Sequence, residues 1–221
     1  LNPNVSPLSA LATQVGFVMY LGLSPAAGLI NMMQVPMVAL PYIGARYGFT
    51  KATAAMGRAY KDIMGAKPNA KNGFNAAQSP KLSADERRAI STLQDEGVID
   101  LTQAHDLAAA TTRDVTFHVP EVMNRQVTAL MAYRLEIGKS GDEGKAMDAA
   151  REAIKRSQFD YSSSNRARFM QGDIARVVTQ FRQFSQNMTY FLGRAAYQAL
   201  KGEAPEVRRI ARQQLVATFL V

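Results

Sequence analysis

Apolar side chains along this chain recur mostly at intervals of three and four residues, and convincing alternation with a period of two is missing. A spacing of three and four places apolar positions on one face of an α-helix. The predicted helices cover residues 7–22, 25–33, 51–65, 83–97, 98–112, 119–138, 140–157 and 173–201, with a last helix that opens at Pro205. The predicted fold class is all-α: a multi-helix assembly module with broken apolar N-terminal helices and a long amphipathic C-terminal helix.

Local signals predict several of the helix ends. Ser83 and Glu86 have the spacing of a capping box, and Gly97 suits the position that follows the same helix. Pro36 and Pro41 are predicted to break the preceding helical run, because each proline removes a backbone donor and clashes with the turn before it.

The first 45 residues contain no charged side chain and no histidine, and the first charge along the chain is Arg46. A membrane-spanning helix needs about 20 consecutive apolar residues. Between residues 15 and 48, prolines and amides interrupt every window of that length, at Pro25, Asn31, Gln34, Pro36 and Pro41. A single-pass anchor is therefore disfavoured, whereas a buried helical core and a re-entrant or interfacial helical hairpin both stay open.

The pattern divides the chain into three regions. Residues 1–65 are expected to form an apolar helical segment, uncharged over most of its length, and residues 66–82 a linker or mobile loop rich in Pro, Asn, Gly and Lys. Residues 83–221 are expected to form a helical domain that continues beyond the end of the chain. Within it, the helix at 119–138 should bury one face, and the helix at 140–157 should be charged and exposed.

The helix predicted at 173–201 has an unusual composition. One face is broad and apolar, the other carries mainly amides and hydroxyls, and every charge after Asp173 is positive. We expect such a surface to be buried against its neighbours or laid along an anion, and core packing stays open for its aromatic stripe. The residues predicted for the assembly interface are Met32, Met33, Met37, Tyr42, Phe181, Phe184, Met188, Tyr190 and Phe191. The residues predicted for anion contact are Arg176, Arg182 and Arg194.

The formal net charge of +8 favours anionic partners such as nucleic acid, lipid head groups or an acidic protein face. The chain has no cysteine, which excludes disulfides and thiolate metal sites. His105 and His118 have no metal-ligand spacing, and neither a phosphate-binding loop nor a nucleophile elbow is found. We therefore expect no catalytic site, no cofactor, no metal and no small-molecule substrate within this segment.

Two stretches, "SPAAGLINMMQVPMVALPYIGARYG" at 24–48 and "NRARFMQGDIARVVTQFRQFSQNMTYFLGRAAYQAL" at 165–200, resemble parts of very large bacteriophage proteins. These are the internal virion or DNA-ejection proteins of podophages, and related polyvalent proteins with a PLxRFG domain. The PLxRFG motif itself is not present in this chain, in which "NRARFMQG" is only similar to it. The resemblance falls near the C-terminal part of those proteins.

The resemblance implies a virion protein that is stored in the capsid and expelled with the genome, or ahead of it, into the host cell envelope. It would help to form a conduit for DNA there, in the periplasm or inner membrane. The implied partners are further copies of the chain, other ejection or portal proteins, the bacterial membrane and DNA without sequence preference. Two alternatives stay open: a non-catalytic helical part of a large phage enzyme, either peptidoglycan-cleaving or a virion RNA polymerase, and a membrane-permeabilising or nucleic-acid-binding module.

Overall fold

The computed structural model describes residues 31–69, 73–99, 119–158 and 183–220. The all-α prediction is confirmed. The α-helices of these ranges are α1 (Leu40–Tyr47), α2 (Phe49–Ile63), α3 (Ala84–Asp95), α4 (Val119–Ser140), α5 (Glu143–Ser157), α6 (Gln183–Lys201) and α7 (Pro205–Leu220). A π-helical turn at Val35–Ala39 leads into α1, and a 3-10 turn spans Ala76–Gln78. The strands β1 (Pro68–Asn69) and β2 (Gly73–Phe74) pair antiparallel.

The prediction that the prolines break the chain's helical path before α2 is wrong. Backbone dihedrals remain helical at Gln34, Ala39 and Leu40, so the π-turn and α1 form one continuous helical run. The Leu40 N–H donates to the Val35 carbonyl, five residues back, which widens the helix immediately before Pro41. A widened turn relieves the clash between a proline ring and the preceding carbonyl, so proline changes the helix type here instead of ending the helix.

Helix α4 is the centre of the described fold. Every residue from Pro120 to Tyr133 is buried, on all sides of the helix. The prediction of one buried face was too narrow, because α2, α3 and α5 all pack on α4. Its polar side chains are therefore inside the protein, where each needs a hydrogen-bond partner.

Alanine lines the closest helix contacts. Helix α5 meets α4 through Ala146, Ala150 and Ala153, each at most 2% exposed. Small side chains let helix axes approach closely, and this burial leaves the charges of α5 on its outer side. The expectation of an exposed helix at 140–157 therefore holds for only part of its circumference.

Residues 66–82 were predicted to form a linker or mobile loop, and their described part packs into the core. Ala76, Ser79 and Leu82 are each at most 3% exposed. The Gln126 side chain of α4 accepts a hydrogen bond from the Ala76 N–H at 2.6 Å and donates to the Phe74 carbonyl at 3.1 Å. The polar composition suggested a linker, but a buried glutamine from a distant helix satisfies the backbone of this segment. One hydrophobic cluster joins residues before, within and after it.

Helices α6 and α7 form a hairpin whose ends match the prediction. Gly202 follows α6, and Pro205 opens α7. Arg208 donates to the Gly202 carbonyl at 2.7 Å, and Arg212 donates to the Ala199 carbonyl at 3.2 Å. Basic side chains of α7 thus satisfy carbonyls at the C-terminal end of α6 that have no partner within that helix. The helix predicted at 7–22 lies outside the described residues, as do residues 25–30, 100–112 and 173–182 of the helices predicted at 25–33, 98–112 and 173–201.

Candidate assembly surface

An open apolar groove of about 440 Å³ lies between the first helices of the described fold and the last one. Leu40, Pro41 and Phe49 line one wall, and Val216, Ala217 and Leu220 of α7 line the other. Arg212 and Gln213 also border it, yet its lining is almost entirely apolar. Such a lining, left open to water, is typical of a surface that receives another apolar group.

Two glycines shape the first wall of the groove. Gly48, between α1 and α2, has φ +93° and ψ 133°, a conformation that side chains with a Cβ rarely adopt. The chain turns sharply there, and Phe49 comes to lie against α1. A Cβ added at Gly44 would sit 2.4 Å from Cδ1 of the Phe49 ring. The Phe49 ring can therefore occupy this position in the groove only because residue 44 is a glycine, which has no Cβ.

The predicted methionines lie on the surface. Met32, Met33 and Met37 are 39%, 48% and 39% exposed. Their neighbours on the other side of the same run are buried, and Gln34 donates to the Ser157 carbonyl at 3.4 Å, which holds this side against α5. The methionines therefore form an exposed apolar strip on a segment that is fixed to the core. Methionine is flexible and polarisable, which suits it to contact surfaces that must adapt.

Tyr42 and Phe191 were predicted to lie in the assembly interface, but the structure buries both within this chain, at 6% and 8% exposure. The Arg46 guanidinium lies 3.5 Å from the centroid of the Tyr42 ring and donates to the Tyr42 carbonyl at 2.6 Å. Burial raises the pKa of the Tyr42 hydroxyl, with a smaller opposing effect from Arg46. Both side chains belong to the intramolecular core, because helices far away in the sequence cover them.

The remaining predicted residues are divided between surface and core. Tyr190 is 68% exposed, Met188 is partly buried against the core, and Arg194 is half-buried. The predictions for Phe181, Arg176 and Arg182 lie outside the described residues, as does the one for the side chain of Phe184. Of the predicted interface set, the structure thus leaves Met32, Met33, Met37 and Tyr190 exposed.

Sequence reasoning missed the second wall of the groove. Val216, Phe219 and Leu220 of α7 are 59%, 75% and 80% exposed, and they include two of the lining residues. A signal was present, since the run "LVATFL" at 215–220 has too many large apolar residues for a solvated helix face. What the pattern could not indicate is which other helix they would lie beside.

Ion pairs inside the fold connect α4 to its neighbours. Arg134 binds Glu86 of α3 through Nε at 2.6 Å and Asp62 of α2 through Nη2 at 2.7 Å. Burial alone would raise the pKa of Glu86, but hydrogen bonds from Arg134 and from the Ser83 backbone outweigh it and lower that pKa. This triad fixes three helices in one arrangement and is part of the scaffold that carries the groove.

Within the described part of the chain, no group of three or more His, Asp or Glu side chains is arranged to hold a metal ion. None of the helices in the described ranges is long and apolar enough to cross a membrane. No protein-family model matches this chain, and no curated protein or solved structure matches it either.

Proposed function

We propose that this chain is a non-catalytic helical assembly module of a bacteriophage ejection protein. It is stored inside the virion and then helps to form a conduit for DNA in the host cell envelope. Further copies of the chain, together with other ejection or portal proteins, are its partners. The phage context rests on the resemblance of residues 24–48 and 165–200 to internal virion proteins.

The observation that carries the assembly part of the proposal is the apolar groove between α1 and α7. Among the side chains that border it, Val216 and Leu220 are exposed to water, while other residues form the buried core of the described fold. Water contact with apolar surface is unfavourable by roughly 25 cal/mol per Å², and covering the groove with a second chain would remove that cost. The exposed methionines at 32, 33 and 37 add adaptable apolar surface for such contacts.

Self-association of the 221-residue chain tests the proposal. The wild type is expected to form dimers or larger species at about 10–100 μM in light scattering coupled to size-exclusion chromatography. The variant V216S/L220S, which makes one wall of the groove polar, should be monomeric. The control M64S/L200S changes two residues that are exposed outside the groove, at 57% and 77%, and should assemble as the wild type does.

A wild-type chain that stays monomeric at about 100 μM would contradict the assembly proposal. If the groove variant and the control lose association equally, the groove is not the surface through which the chains associate. The phage context has its own test: the polypeptide should be present in purified virions and absent from them after the genome has left. A chain that is found only in infected cells, and never in virions, would contradict that context.

A further inference from the structure

Helix α2 lies in a stretch of the chain with many basic residues and few acidic ones. Residues 46–82 contain seven of the chain's 26 basic residues but only one of its 18 acidic residues, Asp62. That carboxylate binds Arg134 at 2.7 Å and points toward the core helix. The other charges of this stretch are therefore not balanced locally.

Three of these cations form a line on the outer face of α2. Lys51, Arg58 and Lys61 are all exposed, and their spacing of seven and three residues puts them on one side of the helix. At 1.5 Å per residue the line is about 15 Å long. We call these three residues the α2 cationic stripe. Among the described residues, no carboxylate forms an ion pair with any of them.

Three arginines on α3 and α5 differ from the stripe in this respect. Arg88 pairs with Asp85, Arg151 with Glu96, and Arg156 with Glu152. These three arginines thus have nearby carboxylates that reduce their attraction for an outside anion. The α2 cationic stripe is instead left free for one.

The surface around the stripe consists of small side chains. The other exposed positions of α2 between its first turn and Lys61 are Thr50, Thr53, Ala54 and Gly57. Small side chains allow a partner's backbone to come close to the helix, and threonine hydroxyls are donors for phosphate oxygens. No aromatic side chain lies within this exposed surface, so it offers no platform on which unpaired bases could stack.

A lipid surface fits these residues less well than a nucleic acid does. A helix that binds at a membrane interface inserts its apolar face. The apolar face of α2, with Ala52, Ala55, Ala59 and Ile63, is buried in the core of the protein. Large apolar side chains are exposed only at the two ends of the helix, at Phe49 and Met64.

We propose that the α2 cationic stripe contacts the phosphate backbone of duplex DNA without reading its base sequence. The inference deepens the proposed function and rests on it only for the source of the DNA. Each neutralised phosphate contributes about −0.9 to the slope of log K against log salt concentration. Three contacts contribute about −2.7, which corresponds to roughly a 40-fold loss of affinity between 50 and 200 mM salt.

The test measures the affinity of the full chain for labelled duplexes of unrelated sequence at a series of salt concentrations. Fluorescence anisotropy of the labelled DNA reports binding. The stripe variant K51Q/R58Q/K61Q should show a slope less steep by about 2.7 than the wild type. The control K139Q/K155Q/K201Q removes the same charge from three exposed lysines on α4, α5 and α6 and should change the slope by less than about 1. Glutamine is a good helix former, and circular dichroism checks that both variants fold. A second variant, K51R/K61R, keeps the charge and should retain binding.

Equal slope changes in the stripe variant and its control would overturn the proposal, because net charge alone would then explain binding. So would the absence of DNA binding by the wild type. Vesicles of phosphatidylglycerol and phosphatidylethanolamine form the third arm: if the stripe variant loses vesicle binding but keeps DNA binding, the partner is a membrane and the proposal fails. The groove variant V216S/L220S should bind DNA with an unchanged slope, which separates this result from the outcome of the assembly test.

Discussion

Replacing Gln126 with methionine removes the polar anchor of residues 73–82 while keeping a side chain of similar volume. Gln126 is fully buried and bonds both the Ala76 N–H and the Phe74 carbonyl. A buried backbone group left without a partner costs about 1–3 kcal/mol. The hydrogen bond to the Ala76 N–H is buried, whereas the one to the Phe74 carbonyl is only partly buried. We therefore expect Q126M to lower the free energy of unfolding by about 2–4 kcal/mol, a large share of a typical total of about 5–15 kcal/mol.

The matched control is Q158M. Gln158 is 2% exposed and donates to the Thr128 hydroxyl oxygen at 3.0 Å, a neutral acceptor that keeps its own proton for another hydrogen bond. Its loss should cost about 1 kcal/mol or less. Urea unfolding followed by far-UV circular dichroism measures both changes, since the chain has no tryptophan to report by fluorescence. Hydrogen exchange at the Ala76 amide adds a local measurement and should accelerate in Q126M only.

The reasoning would be refuted if Q126M cost no more than Q158M and left the exchange of the Ala76 amide unchanged. The segment at 66–82 would then behave as the linker that its composition suggests, and its packing against α4 would contribute nothing to stability.

The remaining predictions concern the ion triad, a turn and a helix contact. The pKa of Glu86 is lowered in the fold, because hydrogen bonds led by the one from Arg134 outweigh the effect of burial. The ionised Glu86 side chain therefore stabilises the fold fully above its unfolded pKa of about 4.3, and this stabilisation is lost as pH falls through the lower folded pKa. E86Q should therefore flatten the fall in melting temperature between about pH 5 and 3, and an unchanged acid limb would argue against this role. R134M leaves two carboxylates facing each other and should cost about 2–3 kcal/mol in urea unfolding, whereas a loss below about 1 kcal/mol would mean that water already screens the triad. Gly48 has φ +93°, so Gly48→Ala should destabilise the protein by about 1–3 kcal/mol. Gly57 is exposed within α2 and no atom lies near an added Cβ, so Gly57→Ala should stabilise the protein by about 0.5–1 kcal/mol. If both variants change the thermal stability in the same direction, the backbone argument is contradicted. Ala150→Leu overfills the fully buried contact between α4 and α5 and should cost at least about 1–3 kcal/mol, and a neutral result would show that the two helices are loosely packed.

Features that depend on a few neighbouring residues could be predicted from the sequence. The capping box is present, with the Ser83 hydroxyl accepting from the Glu86 N–H at 3.2 Å and the Glu86 carboxylate accepting from the Ser83 N–H at 2.8 Å. Gly97 follows α3 with φ +69°, as its place in the pattern indicated. These outcomes are set by backbone sterics and by hydrogen bonds within one helical turn, so no distant part of the chain can change them much.

The prolines show where local rules fail. Pro36 and Pro41 lack a backbone donor wherever they occur, but whether the chain bends away or widens its helix depends on what holds the neighbouring turns. Val35 and Val38 are at most 1% exposed, and Gln34 bonds to α5. Burial on that side fixes the helical path, so the chain adopts a π-turn there and does not leave the helix.

The sequence by itself determined that this protein is helical and where several of its described helices begin and end. The tertiary structure alone decided which apolar residues are covered. Tyr42 and Phe191 are buried by distant helices, whereas Met33 and Leu220 are left at the surface, although all four belong to similar apolar patterns. Helical periodicity sets which residues share a face, but only the packing of remote segments determines whether that face meets protein or water.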